Sequence, residues 1–185
     1  MGVAVASWSR IARRIRVPLG FAFAVLYFWL AKPTLTSLLI GVAVVIPGIV
    51  MRTLASGHVQ KNEILTTGGP YAYTRNPLYL GSLVLAAGFA VAARSWWIAA
   101  GMVVIFLAIY LPVIRSEENF LRERFPEFAD YAARVPRLLP HLVAFRNGGG
   151  EFSWELYRKH REYNAIIGSV VMVAALAAKL LWFSN

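Results

Sequence analysis

Apolar residues run along this chain in long blocks, with polar and charged positions gathered between them and not alternating with them. Such blocks have the length of membrane-crossing helices, about 20 residues each with shorter ones tolerated. The pattern predicts five spans: Val17 to Ala31, Leu35 to Leu54, Pro77 to Ala93, Trp96 to Arg115 and Tyr163 to Phe183. Only Arg94-Ser95 separates the third from the fourth, so these two form a tight antiparallel hairpin. The fourth helix is expected to continue past the membrane. Pro47 and Pro112 lie inside spans and are expected to bend them, freeing the carbonyls of Ala43 and Ala108. The fold class is all-α, an integral membrane protein with cytosolic amphipathic segments, read as a single membrane domain over residues 1–185.

The polar intervals carry their own local signals. Gly68-Gly69-Pro70 is a turn. Asn76-Pro77 reads as a helix start, with Asn76 as the N-cap and Pro77 in the first turn, and its free N–H groups offer a place for an anion. By itself Asn-Pro is equally a plain cap. Pro126 ends the fourth helix, and Glu127 to Arg134 reads as a short amphipathic helix. Val135 to Pro140 reads as an extended strip facing lipid, and Gly148-Gly149-Gly150 as a flexible link. Ser153 caps an interfacial helix, Trp154 to Glu162, with a basic face and Trp and Tyr anchors. Residues 153–185 thus pair an interfacial helix with the last span.

Composition supports the membrane reading: 58% of the 185 residues are hydrophobic and only 15% charged. The absence of cysteine excludes disulfides and thiolate chemistry. His58, His141 and His160 show no metal-ligand spacing, and no metal is expected. The net charge of +10 would suggest nucleic acid in a soluble protein. Here the basic residues flank the spans and face lipid headgroups, so membrane lipids are the expected partners and nucleic acid is not. Of the 19 lysines and arginines, all but Lys32, Arg94 and Lys179 fall on one side of the expected spans, counting Arg52 with the loop that follows it. The positive-inside rule places that side, with the N-terminus and all 9 acidic residues, in the cytosol. The first span is not read as a signal peptide, because no small-x-small cleavage site follows and the second span begins at once.

Two clusters then stand out at the cytosolic ends of spans. One is Gly69-Pro70-Tyr71 with Arg75-Asn76-Pro77-Leu78-Tyr79. The other is Glu117-Glu118, at headgroup depth at the end of the fourth span. Polar groups gathered at one end of several spans mark a site. Taken singly, Arg75 is also a lipid-phosphate contact, the tyrosines are interfacial anchors, and Glu118 is a partner for Arg122 four residues on.

Together with Phe125, Tyr131 and Val135, these residues resemble the isoprenylcysteine carboxyl methyltransferase family and its bacterial phospholipid-methyltransferase-like relatives. The resemblance covers about residues 62 to 140. The family's usual central motif is Arg-His-Pro, with Arg-Asn-Pro common in bacterial members; this chain has Asn76 in that slot. Glu63 stands near the position of a histidine in the eukaryotic enzymes. The resemblance implies an S-adenosyl-L-methionine-dependent methyltransferase without a Rossmann fold. It implies that Leu65, Gly69, Tyr71, Asn76, Pro77, Glu117 and Glu118 contact the cofactor, and that Arg75 and Tyr79 lie at the reaction centre. The methyl acceptor is expected to be lipophilic and to enter from the bilayer. An NADPH-dependent membrane reductase of similar helical architecture and a non-catalytic membrane scaffold are the competing readings.

Overall fold

A computed structural model describes residue 20 and residues 22–60, 63–145 and 150–183. The helices are α1 (residues 22–30), α2 (Leu35–His58), α3 (Pro77–Ala93), α4 (Trp96–Arg124), α5 (Phe128–Arg134), α6 (Trp154–Lys159) and α7 (Tyr163–Phe183), with a 3-10 turn at Gly69–Ala72 and no strand among the described residues. Among the described residues, three helices are long and apolar enough to cross a membrane: Leu35–His58, Trp96–Arg124 and Tyr163–Trp182. At 17 residues, α3 is at the short limit for a span. The first expected span begins outside the described residues, and its described part is helical over residues 22–30. Positions 148 and 149 of the expected glycine link also lie outside them.

The helix ends have local causes. α3 starts at Pro77, whose fixed φ suits a first turn. It stops at Arg94, which adopts the left-handed conformation (φ 50°) that closes many helices. Ser153 caps α6 by accepting from the Leu156 N–H at 3.3 Å, while Arg158 and Lys159 sit in its last turn. α4 runs on past Arg115 to Arg124, as the sequence suggests. A wider π-helical turn at Phe106–Tyr110 precedes Pro112, which is how this helix absorbs the proline.

The chain divides into two compact units. One comprises the described residues up to Ala43, Ala86–Phe120 and those from Val171 on; the other comprises Val44–Leu85 and Leu121–Val170. The first has an apolar core of Tyr27, Ala31, Leu38, Ala92, Ala93, Ile98 and Leu176. Gly41 lets its helix approach the next, since a Cβ there would lie 2.7 Å from the Gly88 carbonyl oxygen. Tyr27 donates its hydroxyl to the Phe89 carbonyl at 2.9 Å. Lys179 donates to the Phe28 and Trp29 carbonyls, which α1 leaves without helical partners at its C-terminal end.

The second unit is centred on Phe128, Tyr131 and Val135, with Leu65, Phe125 and Phe145 packed around them. It also contains an ion pair that joins three segments. Arg52 of α2 meets Glu162 through two guanidinium nitrogens, Nε at 3.1 Å and Nη2 at 2.7 Å. Its Nη1 donates to Ser82 and, at 3.3 Å, to the Leu78 carbonyl of α3. The His160 ring meets the Ser56 carbonyl at 3.0 Å, so the segment before α7 holds the end of α2 twice.

Candidate functional site

The site residues of the second unit are arranged by a glycine turn and a docked loop. Gly69 has φ +56°, a conformation that glycine adopts without steric cost. The His58 ring occupies the space that a Cβ on Gly69 would fill, so glycine is required there on two counts. The chain then enters the 3-10 turn, which buries Tyr71 and Ala72.

From Ala72 onward the backbone is paired residue by residue with the segment that follows α5. Tyr131 donates its hydroxyl to the Tyr71 carbonyl at 2.7 Å. The Ala72 carbonyl accepts from the Phe145 N–H at 3.0 Å and the Tyr73 carbonyl from the His141 N–H at 2.8 Å. The Thr74 hydroxyl reaches the Leu138 carbonyl at 3.0 Å. The Arg75 N–H donates to the Pro136 carbonyl at 2.9 Å, and the Asn76 side-chain amide to the Arg137 carbonyl at 3.0 Å. The Arg75 guanidinium donates through Nη1 to the Ala132 carbonyl at 3.1 Å.

These contacts correct one expectation. The Val135 to Pro140 strip does not simply face lipid: Val135 is in the core, and the carbonyls of Pro136, Arg137 and Leu138 point at residues 74–76. The exposed apolar positions are at the end of the strip, Leu139, and beyond it, Leu142 and Val143. The start of α3 is docked against the same segment. Asn76 and Pro77 are buried there, the Asn76 carbonyl accepts the first helical bond from Leu80 at 3.0 Å, and the Asn76 amide holds Arg137.

Concavities open among the described residues of this unit. A pocket of about 440 Å³ has carboxylates at Glu63, Glu127 and Asp130, aromatic walls at Phe125, Tyr131 and Phe145, and Leu65. An apolar groove of about 750 Å³ is walled by Ile46, Val50, Met51 and Leu54 of α2 on one side and by Gly69, Pro70, Tyr73 and Pro77 on another. Among the residues expected at a site, Leu65 therefore lines the pocket, while Gly69 and Pro77 line the groove. Tyr71 and Asn76 are buried, and Arg75 and Tyr79 half-buried. Glu117 and Glu118 belong to the first unit, where Glu117 is exposed and Glu118 only 4% exposed. His58, which lines the groove, was not distinguished by sequence reasoning. A single histidine with no ligand spacing gives no signal until its helix brings it against Gly69.

Comparisons with known proteins agree with the motif. A family profile described as phospholipid methyltransferase matches residues 15–127. The cobalt-zinc-cadmium resistance protein CzcN of Cupriavidus metallidurans is 35% identical over 151 residues, covering 77% of this chain and 68% of that protein. The nickel-cobalt-cadmium resistance protein NccN of Alcaligenes xylosoxydans xylosoxydans is 36% identical over 119 residues, covering 64% of this chain and 55% of that protein. No solved structure gives a significant match. Among the described residues, no group of three or more His, Cys, Asp or Glu side chains is placed to hold a metal ion. Since the profile spans more than half of the chain and contains the glycine turn, the Arg75-Asn76-Pro77 helix start and the Glu117-Glu118 pair, the chain belongs to the phospholipid methyltransferase family, within the isoprenylcysteine carboxyl methyltransferase-like group.

Proposed function

We propose that this chain is an S-adenosyl-L-methionine-dependent methyltransferase acting on a lipophilic acceptor at the cytosolic face of a membrane. The apolar groove carries the reading. Its α2 wall includes Ile46, Val50 and Leu54, all exposed, and its other wall is built from the motif residues Gly69, Pro70 and Pro77. A long apolar tail lying against α2 would thus be led to the motif without leaving an apolar surface.

The residues present fit the cofactor. When bound, S-adenosylmethionine supplies a methyl group on a cationic sulfur. The 440 Å³ pocket offers carboxylates to accept from ribose hydroxyls or an ammonium group, and aromatic faces suited to an adenine ring or a sulfonium. Leu65 would form part of its apolar wall. Gly69, Tyr71, Asn76 and Pro77 would shape the turn beside it; the assignment of Glu117 and Glu118 to the cofactor rests on the resemblance to the family. Arg75 and Tyr79 are assigned to the reacting end, where a guanidinium can orient an anionic group of the acceptor. The same guanidinium donates through Nη1 to the Ala132 carbonyl at 3.1 Å.

The test is calorimetry of detergent-purified protein with S-adenosylhomocysteine and with NADPH, followed by transfer of labelled methyl to a total lipid extract and to water-soluble acceptors. Binding of the homocysteine and labelling of lipid are expected. Binding of NADPH alone, or label only in soluble acceptors, would overturn the reading. Glu118→Gln should weaken cofactor binding by roughly 1–3 kcal/mol, with exposed Glu123→Gln as the neutral control. Arg75→Ala should abolish transfer while cofactor affinity stays within a few-fold. For sidedness, cysteines introduced at Lys32 and Glu151 should label from opposite sides of the membrane, Glu151 from the cytosol.

A further inference from the structure

We propose that His58 is the proton acceptor of the transfer reaction, and that the methylated atom of the acceptor therefore carries a proton: an N–H, O–H or S–H group and not a carboxylate. This inference rests on the methyltransferase reading above.

Three observations carry it. First, the ring is oriented with one nitrogen already engaged. Nδ1 lies 2.7 Å from the Leu54 carbonyl oxygen, which can only accept, so Nδ1 carries a hydrogen, and in the neutral ring the lone pair is on Nε2. Second, the edge of the ring bearing Nε2 lies against Gly69. A Cβ at that position would come within 2.5 Å of Nε2. The glycine of the motif is thus what lets the ring approach the turn this closely. Third, both His58 and Gly69 line the apolar groove, where the acceptor's tail is assigned. Phe152 stands edge-on to the ring with centroids 6.0 Å apart, a contact that holds the imidazole plane.

The groups around the ring leave it as the base of this groove. Tyr73 is the other titratable residue of the lining. Arg52, on the same helix, is paired with Glu162. His160 is bonded to the Ser56 carbonyl, and Glu151, beside Phe152, is exposed. In the step itself, a bond forms from the acceptor atom to the methyl carbon. The sulfur–carbon bond of the donor breaks and leaves its electron pair on sulfur. The acceptor's proton passes to Nε2 and from there to water. A carboxylate acceptor would have no proton to give and would not need the imidazole.

Two measurements on the full-length protein test this. The first does not depend on activity: ¹⁵N spectra of histidine-labelled protein, with the His58 signal assigned by its loss in His58→Gln, should show Nδ1 protonated and Nε2 as the bare nitrogen. The opposite tautomer would overturn the proposal. The second compares the wild type with His58→Gln, and with His141→Gln as a control outside the groove, for S-adenosylhomocysteine binding and for methyl transfer to a lipid extract across pH. His58→Gln should bind the homocysteine within a few-fold of wild type and lose about 10²–10⁴-fold in transfer, the usual range for a general base. It should also lose the acidic limb of the pH profile and recover part of its rate with added imidazole. Unchanged turnover and pH profile in His58→Gln, in a wild type that does transfer methyl, would overturn the role of His58 alone. So would loss of homocysteine binding together with activity, without imidazole rescue. A wild type that binds no homocysteine and transfers no methyl would overturn the methyltransferase reading and this assignment with it.

Discussion

The two units are held together by different means. In the unit built on Tyr27, Ile98 and Leu176, the core is carbon packed on carbon, and small residues such as Gly41, Ala92 and Ala93 let the helices approach. Its helices satisfy their own backbones, and side chains are needed chiefly at helix ends, as where Lys179 reaches the carbonyls of Phe28 and Trp29. In the unit built on Phe128 and Tyr131, the chain leaves helical geometry for long stretches. There the carbonyls of residues 71–73, 132 and 136–138 are each met by a side chain or a distant N–H. Non-helical backbone survives beside a membrane only where its polar groups are paired. The unit that carries the candidate chemistry is therefore the one that depends on polar contacts, since a site needs irregular backbone and irregular backbone needs partners.

The sharpest way to break that contrast is to remove one member of the Arg52–Glu162 pair, whose side chains are only 21% and 14% exposed. Glu162→Gln should destabilise the protein by about 3 kcal/mol or more, because a mostly buried guanidinium loses its carboxylate. Thermal unfolding in detergent checks this. A double replacement by Met at Arg52 and Leu at Glu162 should recover much of that stability, as apolar substitutes for buried pairs do. A loss under 1 kcal/mol in Glu162→Gln would remove the polar lock from the account.

Glycine substitutions compare the two units by sterics. Gly41→Ala should cost roughly 1–3 kcal/mol by overpacking a helix contact. Gly69→Ala should cost roughly 1–2 kcal/mol from the left-handed backbone alone, with its overlap on His58 added. The two differ in a second readout. Gly69→Ala should also change the His58 nitrogen signals, whereas Gly41→Ala should leave them alone.

A smaller effect is expected from matched hydroxyl deletions. Tyr27→Phe and Tyr131→Phe each remove one bond to a carbonyl, at 2.9 Å and 2.7 Å, and each should cost about 0.5–1.5 kcal/mol. Only Tyr131→Phe should increase amide exchange in residues 71–76. Equal exchange in both variants would mean that the docked loop does not depend on that bond. Smallest of all, Asp130→Asn breaks an exposed pair to Arg134 four residues on, and should change stability by about 0.5 kcal/mol or less.

Much of the fold was legible in the sequence. The α3 and α7 bounds match the apolar blocks at Pro77 to Ala93 and Tyr163 to Phe183, because block length and a proline at the start are local facts. The Ser153 cap was legible for the same reason. Of the site, the sequence indicated the glycine turn and the Asn76-Pro77 helix start, but not what either touches. Asn76 reads in the sequence as an N-cap and a cofactor contact; nothing local shows that its amide holds a carbonyl 61 residues away. Val135 was read as facing lipid, and it is in a core.

What the sequence determined by itself is the membrane class, the helices and the family motif. Each follows from the solvent that a run of side chains prefers or from bonds between residues a few positions apart. Only the tertiary structure decided that the Arg52 charge is met by Glu162, 110 residues on. It alone decided that residues 72–76 are paired with the segment after α5, and that His58 lies against Gly69 in an apolar groove. No pattern along a chain specifies which distant carbonyl an amide will find. That choice is made when helices pack and the backbone groups they leave open must be satisfied by whatever the packing has brought near.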